Sequence, residues 1–600
     1  MGETPHSTGS HAPSNRVEAP SMMRVAPLLL PFKTSLSMPG SKSLANRAII
    51  AACLSPGETV IEHATLCDDV RLMVENVRKM GCLVQEEEGP TERLRVSGGI
   101  PQTPTQAELW CGNAGTTVRF LTSLACVVPG EWVITGDERM QKRPIGQLVQ
   151  ALRSLGADIE SPNGCPPLRI RGGVIRGGAV TLDASTSSQF LSSLLLIAPA
   201  LPEGLSVTLS GPLASPSYVS LTLAVMHAFG IAVTNVGESR FTVSPQPYSS
   251  PKHYAVEGDW SAAGAFLVLS ALMRGSIDYT NVDPHSTQGD RAVVDALKLL
   301  STPGDFHVDC TDVPDQVMNL AVFASFRKGT TIISGAKNLR VKECDRLAVL
   351  SKELAKAGVA ITERDDGVEI SGGAPLNTNP VLDPNDDHRM AMAFAILGML
   401  GKGVTIAHPS CVSKSYPSFF RDLATVRASA RAVVIIGMRG AGKSHLARRL
   451  ASALHLSAVD SDSEIEREIG MKISQYIQKN GWPAFRAIEE QIIDRCLTRG
   501  TVIAVGGGAI ESAVTRERMK NCLVIWMQMS EKGAINRLKL TKRPPLTDLP
   551  LDQEVRQVLA RRDPLYSACA DIVLPERVPF KHHVSCILDE LRSRLPLSST

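Results

Sequence analysis

Six hundred residues exceed what one hydrophobic core usually organises, so two or more domains are expected. With 43% hydrophobic residues, and 63 Lys+Arg against 60 Asp+Glu giving +3, the chain is globular; it has no polycationic stretch, acidic tail or basic, aromatic-interleaved stripe for a nucleic acid. Thirteen scattered cysteines without a Cys-x-x-Cys, and no apolar run longer than Met390 to Leu400, argue against a disulfide framework, a zinc site or a membrane span and favour a cytoplasmic protein with reduced thiols.

Met1 to about Met23 is rich in Ser, His, Pro and Gly, lacks the apolar run of a secretory signal and reads as a disordered tail over residues 1–23. Ser37-Met-Pro-Gly-Ser-Lys-Ser-Leu-Ala-Asn-Arg47 follows. Pro39-Gly40 is a turn signal, and Ser-Lys-Ser opens a run, Leu44 to Leu54, apolar enough for a buried helix. Backbone N–H groups at a helix start beside Lys42 make an anion site. The plainer alternative is a capped helix whose Lys42 and Arg47 face water.

A unit of helix, glycine and short strand recurs at Gly81, Gly156, Gly230, Gly304 and Gly358, spaced 75, 74, 74 and 54 residues apart. A second echo, a strand ending in Gly-Gly, appears at Gly98-Gly99, Gly172-Gly173 and Gly372-Gly373. The period exceeds that of solenoids and points to a duplicated α/β subdomain. After Phe420 the pattern changes. Thr425 to Arg431 reads as a short linker, Ala432-Val-Val-Ile-Ile436 as an apolar strand, and Gly437-Met-Arg-Gly-Ala-Gly-Lys-Ser444 as a P-loop opening a helix. In that strand–loop–helix setting the bare backbone at Gly437, Gly440 and Gly442 wraps phosphates, Lys443 reaches the outer phosphates and Ser444 ligates magnesium. Asp460-Ser-Asp462 ends the next strand, Phe485-Arg486 lies on a helix, and Val505-Gly-Gly-Gly508 ends another strand. Lys542-Arg543-Pro544 sits in a loop suited to a lid, and Arg562-Asp-Pro-Leu-Tyr566 follows. Taken singly, Asp460 and Arg562 also fit ordinary surface ion pairs.

The first four hundred residues resemble EPSP synthase (5-enolpyruvylshikimate-3-phosphate synthase). The Ser37–Arg47 signature is followed in the family's order by Gly112-Asn-Ala-Gly-Thr116 with Arg119, Arg139 to Gly146, Ser187-Ser-Gln-Phe190, Pro314-Asp315, Asn338 to Arg346, Asp387-His-Arg389 and Cys411-Val-Ser-Lys414. The resemblance implies two lobes built of six repeated α/β units, residues 24–40 plus 257–427 in lobe one and 41–256 in lobe two. It implies transfer of enolpyruvyl from phosphoenolpyruvate to shikimate 3-phosphate. By position, Lys42, Asn113, Gly115, Arg143, Arg346, Arg389 and Lys414 correspond to the phosphoenolpyruvate set. Ser43, Arg47, Ser187, Ser188, Gln189, Ser215, Tyr218, Asn338 and Lys342 correspond to the shikimate 3-phosphate set. Asp315 and Glu343, with Lys42, correspond to the acid–base groups the addition and elimination require. The family's glyphosate competition implies that Gly115 lines the same pocket. Two departures are noted: Phe120 stands where many bacterial enzymes have proline, and Ser215-Pro-Ser-Tyr218 has its proline one place early.

Residues 432–600, beyond a linker at 428–431, resemble shikimate kinase, which implies an α/β P-loop domain with a parallel sheet, ATP as substrate and Mg2+. The resemblance assigns ATP to Gly437, Gly440, Gly442, Lys443, Ser444 and Arg543, shikimate to Asp462, Arg486, Gly506, Gly507, Gly508 and Arg562, and the metal to Ser444 and Asp460, with Lys443 and Asp462 in the chemistry. Gly481-Trp482, where stand-alone kinases usually have Gly-Glu, and the Met-Arg-Gly-Ala-Gly P-loop are closer to the fungal-type pentafunctional AROM polypeptide. A natural bifunctional shikimate-pathway enzyme and a piece of a larger AROM chain are both open, as is oligomeric state. Two other readings compete: an enolpyruvyl transferase acting on a nucleotide sugar, which would carry a cysteine in the loop after Asn113, and a non-catalytic relic. The expected partners are small molecules, with no nucleic acid and no membrane.

Overall fold

The computed structural model describes residues 21–87, 89, 91–237, 239–541, 547 and 549–593. Before residue 429 the strands form six sheets, and four of them share one order. In one, Thr105–Trp110 runs parallel to Gly130–Thr135, which pairs antiparallel with Leu168–Gly172, itself flanked by Asp158–Glu160. The same arrangement recurs around Gly57–Glu62, Leu205–Leu209 and Gly329–Ser334. The Gly-Gly echoes explain themselves here. A β-carbon on Gly98, Gly172 or Gly372 would lie 1.9, 1.9 and 2.1 Å from the carbonyl oxygens of Ala52, Val128 and Ala324. The next glycine in each pair donates its N–H to Cys53, Cys126 or Ser325. Each strand end is thus docked on the C-terminus of a helix, where carbonyls need donors.

The helix–glycine–strand repeat needs one correction. Gly81, Gly156, Gly230 and Gly358 each sit two residues past a helix, with φ of 93, 93, 78 and 90°. All four lead into the edge strand of their sheet. Gly304 lies four residues past Leu300, and its strand, Phe306–Asp309, is the first strand of the next sheet. Local sequence cannot tell which sheet a short strand joins, so that member is out of phase. The tail also needs correcting: Met22–Val25 is a strand paired antiparallel with Val404–Ala407, and only residues 1–20 of it lie outside the described residues.

Two apolar cores divide this part of the chain. One gathers side chains from Leu44 to Val256, the other from Val25 to Met38 and from Ala262 onward. The chain passes between them twice at one place. Gly40 bridges Gly258, Ser41 N–H donates to Glu257 O at 2.8 Å, and Asp259 N–H donates to Pro39 O at 2.9 Å. A side chain at Gly40 would collide with the His63 carbonyl, 1.8 Å from the β-carbon position.

The last part is a five-stranded, all-parallel sheet in the order Ser457–Asp460, Thr501–Ala504, Val433–Gly437, Leu523–Met527, Ile572–Leu574. Its two central strands are buried throughout, as parallel strands covered on both faces must be. The linker expected at 425–431 is not a free tether. Residues up to Ala428 finish the helix Phe419–Ala428, Ala430 bridges Phe32, Arg431 N–H donates to Pro31 O, and Gly500 N–H donates to Ala430 O. The second core continues through this junction into Val433, Ile435 and Leu446. Among the described residues no helix is long and apolar enough to cross a membrane.

Candidate active sites

Seven of the described helices begin at one cavity between the two cores, among them Asp68–Lys79 with Asp69. Lys42–Leu54 contributes Lys42 and Ser43, Gly115–Val127 contributes Gly115 and Thr116, and Ser188–Ile197 contributes Ser188 and Gln189. Tyr218 comes from Ser217–Ala228, Arg346 from Arg346–Lys356, and His388 and Arg389 from His388–Leu400. No side chain caps the Lys42 or Gly115 helix, and neither has an acidic residue in its first turn, which leaves these helix starts electrostatically suited to an anion. Arg143, Ser187, Ser215, Asp315, Asn338, Lys342 and Glu343 complete the lining drawn from the sequence.

The charges are paired, within each core's part of the chain and, through Asp69–Lys414, between them. Asp69 holds both Lys42 and Lys414 at 2.7 Å. Arg346 meets Asp315 at 2.9 Å, Glu343 at 2.8 Å and Asp387 at 2.7 Å, and Arg389 meets Asp315 at 2.8 Å. Burial alone would raise the Asp315 carboxyl, but Arg389, Arg346 and Lys342 hold it well below the usual carboxylate range. Burial acts likewise on Glu343, and Arg346, Arg143 and Lys414 overcome it. Burial pulls Lys42 down, while Asp69 and Glu343 more than offset that and hold it up. Lys342 is lowered by burial. Tyr218, whose placement the shifted proline put in question, reaches Asp315 Oδ2 with its hydroxyl at 2.9 Å and Asp290 Oδ2 at 3.2 Å. Burial and the nearby Asp315 push Asp290 up to about 6.

Three residues from the predicted sets, Arg47, Asn113 and Lys414, stand behind the lining. Arg47 is 1% exposed and points into the wall: its guanidinium donates to Thr222 Oγ1, Ser43 O and Tyr218 O and lies over the Phe120 ring. These contacts tie Arg47 to the helices that carry Ser43, Phe120 and Tyr218. Asn113 accepts from Arg143 through Oδ1 at 3.1 Å and from Lys414 through its carbonyl at 2.9 Å. Asp69, Asp290 and His388 were missed. Asp68-Asp69 opens a helix, where acidic residues are ordinary, so the sequence holds no signal for it. His388 sits inside a quoted motif; it lines the cavity fully buried, both ring nitrogens lack a hydrogen-bond partner, and burial with Lys42 and Arg389 nearby keeps it neutral.

A second cavity lies over the P-loop, lined by Gly440, Gly442, Lys443, Ser444, Asp460 and Asp462 together with His445 and Arg448. Gly437, Gly440 and Gly442 have φ of 139, 83 and 94°, which only glycine adopts without strain. Lys443 Nζ donates to Gly437 O at 3.0 Å and Met438 O at 3.1 Å. Asp460 caps the helix Ser461–Ile469 by accepting Ser463 N–H. Asp462 and Glu489 flank Gly506, and the Arg486 guanidinium packs onto Gly508: a β-carbon there would be 2.2 Å from Arg486 Nη2. Arg486 pairs with Glu489, and the buried Arg562 with Glu511 at 2.7 Å; neither carboxylate was identified from the sequence. Arg486, Arg562 and Gly506 to Gly508 are not among the residues that line this cavity. Arg543, with Lys542 and Pro544, lies outside the described residues.

Comparison with known proteins agrees with both halves of this picture. The EPSP synthase (3-phosphoshikimate 1-carboxyvinyltransferase) profile matches residues 30–423, and the shikimate kinase profile matches residues 439–592. The chain is 34% identical over 540 residues to a pentafunctional AROM polypeptide of Yarrowia lipolytica, covering 81% of this chain and 35% of that one. It therefore spans about a third of that relative's length. It is 39% identical over 415 residues to a 3-phosphoshikimate 1-carboxyvinyltransferase of Psychromonas ingrahamii, covering 65% of this chain and 96% of that one. An EPSP synthase structure from Acinetobacter baumannii superposes with a TM-score of 0.57 at 25% identity, over 68% of this chain and 98% of that one. The chain belongs to the EPSP synthase family and carries a shikimate kinase domain after it, in the order found within AROM polypeptides.

Proposed function

We propose that the chain is a bifunctional shikimate-pathway enzyme. Residues 432–600 phosphorylate the 3-hydroxyl of shikimate with ATP, and residues 24–427 transfer enolpyruvyl from phosphoenolpyruvate to the resulting shikimate 3-phosphate, releasing phosphate. The observation that carries the synthase reading is the convergence of Lys42, Arg143, Lys342, Arg346 and Arg389 with the Ser43, Ser187 and Ser188 hydroxyls on one cavity that also holds Asp315 and Glu343. Two polyanions need such a set, although the whole protein is nearly neutral.

In this reading Ser43, Ser187, Ser188, Gln189, Ser215, Asn338 and Lys342 bind shikimate 3-phosphate. Lys42, Gly115, Arg143, Arg346, Arg389 and Lys414 bind phosphoenolpyruvate, whose planar carboxylate suits guanidinium forks. Asp315, ionised and hydrogen-bonded by Tyr218, accepts the proton of the attacking 5-hydroxyl. Lys42 stays charged and is the donor for the methylene carbon; Glu343, ionised beside Arg346, takes that proton back at elimination.

In the kinase, Asp462 orients and deprotonates the acceptor hydroxyl, while Arg486 and Arg562 hold the shikimate carboxylate. Lys443 and the P-loop backbone hold the phosphates, with Arg543 as an added cation. The hydroxyl of Ser444 and the carboxylate of Asp460 on one cavity are hard oxygen donors that fit Mg2+, which would neutralise phosphate charge there. The test is a coupled assay of the purified chain. Shikimate and ATP should yield ADP, and adding phosphoenolpyruvate should then release phosphate and consume shikimate 3-phosphate. A chain that turns over neither pair, or that uses a nucleotide sugar as enolpyruvyl acceptor, would refute the reading.

A further inference from the structure

The two arginines assigned to the shikimate carboxylate are each paired with a carboxylate that no step of the proposed reaction uses, and the two pairs are built in opposite ways. In one the acid, Glu489, is the buried member and Arg486 the open one. In the other the arginine is buried: the Arg562 side chain is 4% exposed and that of Glu511 28%. Glu511 ends the short 3-10 helix Ala509–Glu511, directly after Gly506–Gly508, and Arg562 lies on the helix Leu551–Cys569. Arg562 donates through Nε to Glu511 Oε1 at 2.7 Å, and the open Arg561 beside it meets the same oxygen at 2.7 Å. One turn along that helix Tyr566 donates its hydroxyl to Gly507 O at 2.6 Å, and the Arg562 guanidinium lies within hydrogen-bonding reach of this hydroxyl. Arg486 and Arg562 each act through their charge on both Glu489 and Glu511, so the four side chains form one cluster beside the triple-glycine loop.

Resting on the kinase reading, we propose that Glu511 is a positioning residue for the carboxylate of the phosphoryl acceptor: by taking Arg562 through Nε it leaves the Nη edge of the guanidinium to fork the shikimate carboxylate. A guanidinium can meet a carboxylate along its Nη1–Nη2 edge or along its Nε–Nη2 edge. With Nε occupied, one edge remains, and the direction from which the substrate is gripped is set before it arrives. Two opposing effects follow from the charge of Glu511. It repels an incoming carboxylate, so on that ground alone its loss would favour binding. That charge is matched by Arg561 at the same oxygen, however, and both groups reach water, where such terms are small. Loss of Glu511 also leaves Arg562 without its Nε acceptor and next to the unmatched charge of Arg561. A bidentate contact acts by direction, so a guanidinium turned or displaced by about an ångström is costly. The second effect outweighs the first, and Glu511 aids the acceptor more than it repels it.

The experiment uses the full chain with Glu511→Gln, Arg561→Gln, Arg562→Lys and the Glu511→Gln, Arg562→Lys double variant. It reads kcat, the KM of shikimate and of ATP, the melting temperature, and the synthase rate with supplied shikimate 3-phosphate. Glu511→Gln should raise the shikimate KM about tenfold, keep the ATP KM within about twofold and leave synthase turnover unchanged. Arg561→Gln should keep the shikimate KM within about twofold, because it removes a charge and not the anchor of Arg562. Arg562→Lys keeps the buried charge and loses the fork, so it should raise the shikimate KM by more than tenfold. Adding Glu511→Gln to it should cost no more than about twofold, since no fork is left to orient. An unchanged shikimate KM in Glu511→Gln would overturn the proposal, and so would a lowered one, which would mean that Glu511 competes for the carboxylate's place. An Arg561→Gln as damaging as Glu511→Gln, multiplying effects in the double variant, or a lowered melting temperature with both KM values rising together would also overturn it. Shikimate-dependent ADP formation by the wild type and the shikimate KM of Arg562→Lys test the kinase reading by themselves. No turnover, or an unmoved KM in that variant, would strike that reading and the proposal with it, whereas failure of Glu511→Gln alone leaves the reading standing.

Discussion

The two cavities prepare for anions by different means. Between the lobes the main agent is side-chain charge. Cations from both cores are held in place by carboxylates they share: Asp69 between Lys42 and Lys414, and Asp315 between Arg346 and Arg389. Over the P-loop the main agent is backbone, with left-handed glycines at 440 and 442 and a bare Gly506–Gly508 opposite. The difference follows from construction. A loop inside one domain can be shaped residue by residue through φ and ψ, whereas a site made by two separate cores needs long side chains to bridge the gap. The first kind of site should fail when one charge at its centre is lost; the second should fail when its internal pairing is broken.

The largest effect is expected at Lys443. Lys443→Met should lower shikimate phosphorylation by about a thousandfold or more, because a charge on the transferring phosphoryl group contributes several kcal/mol. The synthase rate with supplied shikimate 3-phosphate should not change, and a kinase that keeps its turnover would show that this loop does not hold the phosphates. Asp69→Asn comes next and probes pairing. It strands two buried ammonium groups, a loss of about 3–5 kcal/mol for a broken buried pair. Synthase kcat/KM should fall roughly a hundredfold, and the melting temperature should drop without ligand and recover partly with phosphoenolpyruvate, whose negative charge replaces the one lost beside Lys42 and Lys414. A variant within threefold of wild type would mean that Asp69 does not organise these cations.

Titration separates the two kinds of site further. Asp290 is raised from 3.8 to about 6 in the folded protein by burial and by Asp315. A raised carboxyl costs nothing below its unfolded pKa, and its cost is complete above the folded one. Its contribution therefore makes stability fall as pH rises from about 4 to 6. In Asp290→Asn that fall should be missing, so the variant should gain on wild type by up to roughly 3 kcal/mol between those limits, at 1.36 kcal/mol per pKa unit. Urea midpoints at pH 4.5 and 7 measure it, and the same offset at both pH values would remove Asp290 from the account.

How much of this was legible in the sequence depended on whether a residue's role is local. Lys443 and the P-loop glycines could be read because strand, loop and helix are contiguous. The Gly-Gly echoes could be read because each meets a helix end in its own unit. Asp69 and Glu511 could not: each looks like a routine acidic residue in a helix's first turn, and its partner lies 27 or more residues away, at Lys42, Lys414 or Arg562. Arg47 entered the shikimate 3-phosphate set by family position; that its donors also meet Thr222 and Tyr218 is set by packing from distant helices and could not be read from the sequence. Gly304 misled for a related reason, since the sheet a strand joins is decided by distant pairing.

Gly115 tests the lobe cavity on its finest scale. From sequence, Gly115→Ala is a methyl that narrows a pocket for a small planar anion, so glyphosate, the longer ligand, should suffer and phosphoenolpyruvate should suffer less. The structure adds a second consequence. The β-carbon would lie 2.5 Å from Arg143 Nη2, 3.0 Å from its Cζ and 3.1 Å from Arg119 Nη1. Arg143 is 6% exposed and tied to Asn113, so it can yield only by loosening that tie. The methyl therefore displaces a cation assigned to phosphoenolpyruvate as well as occupying space. Overpacking typically costs about 1–3 kcal/mol, so the glyphosate inhibition constant should rise about tenfold or more. The phosphoenolpyruvate KM should rise too, by a smaller factor, and the shikimate 3-phosphate KM should hold, since that ligand's set lies on other helix starts. Comparing the inhibition constant with both KM values in wild type and variant separates the two consequences. A raised inhibition constant with an unmoved phosphoenolpyruvate KM would mean that Arg143 adjusts freely and only space is lost; no change in either would mean that Gly115 does not face the bound anion.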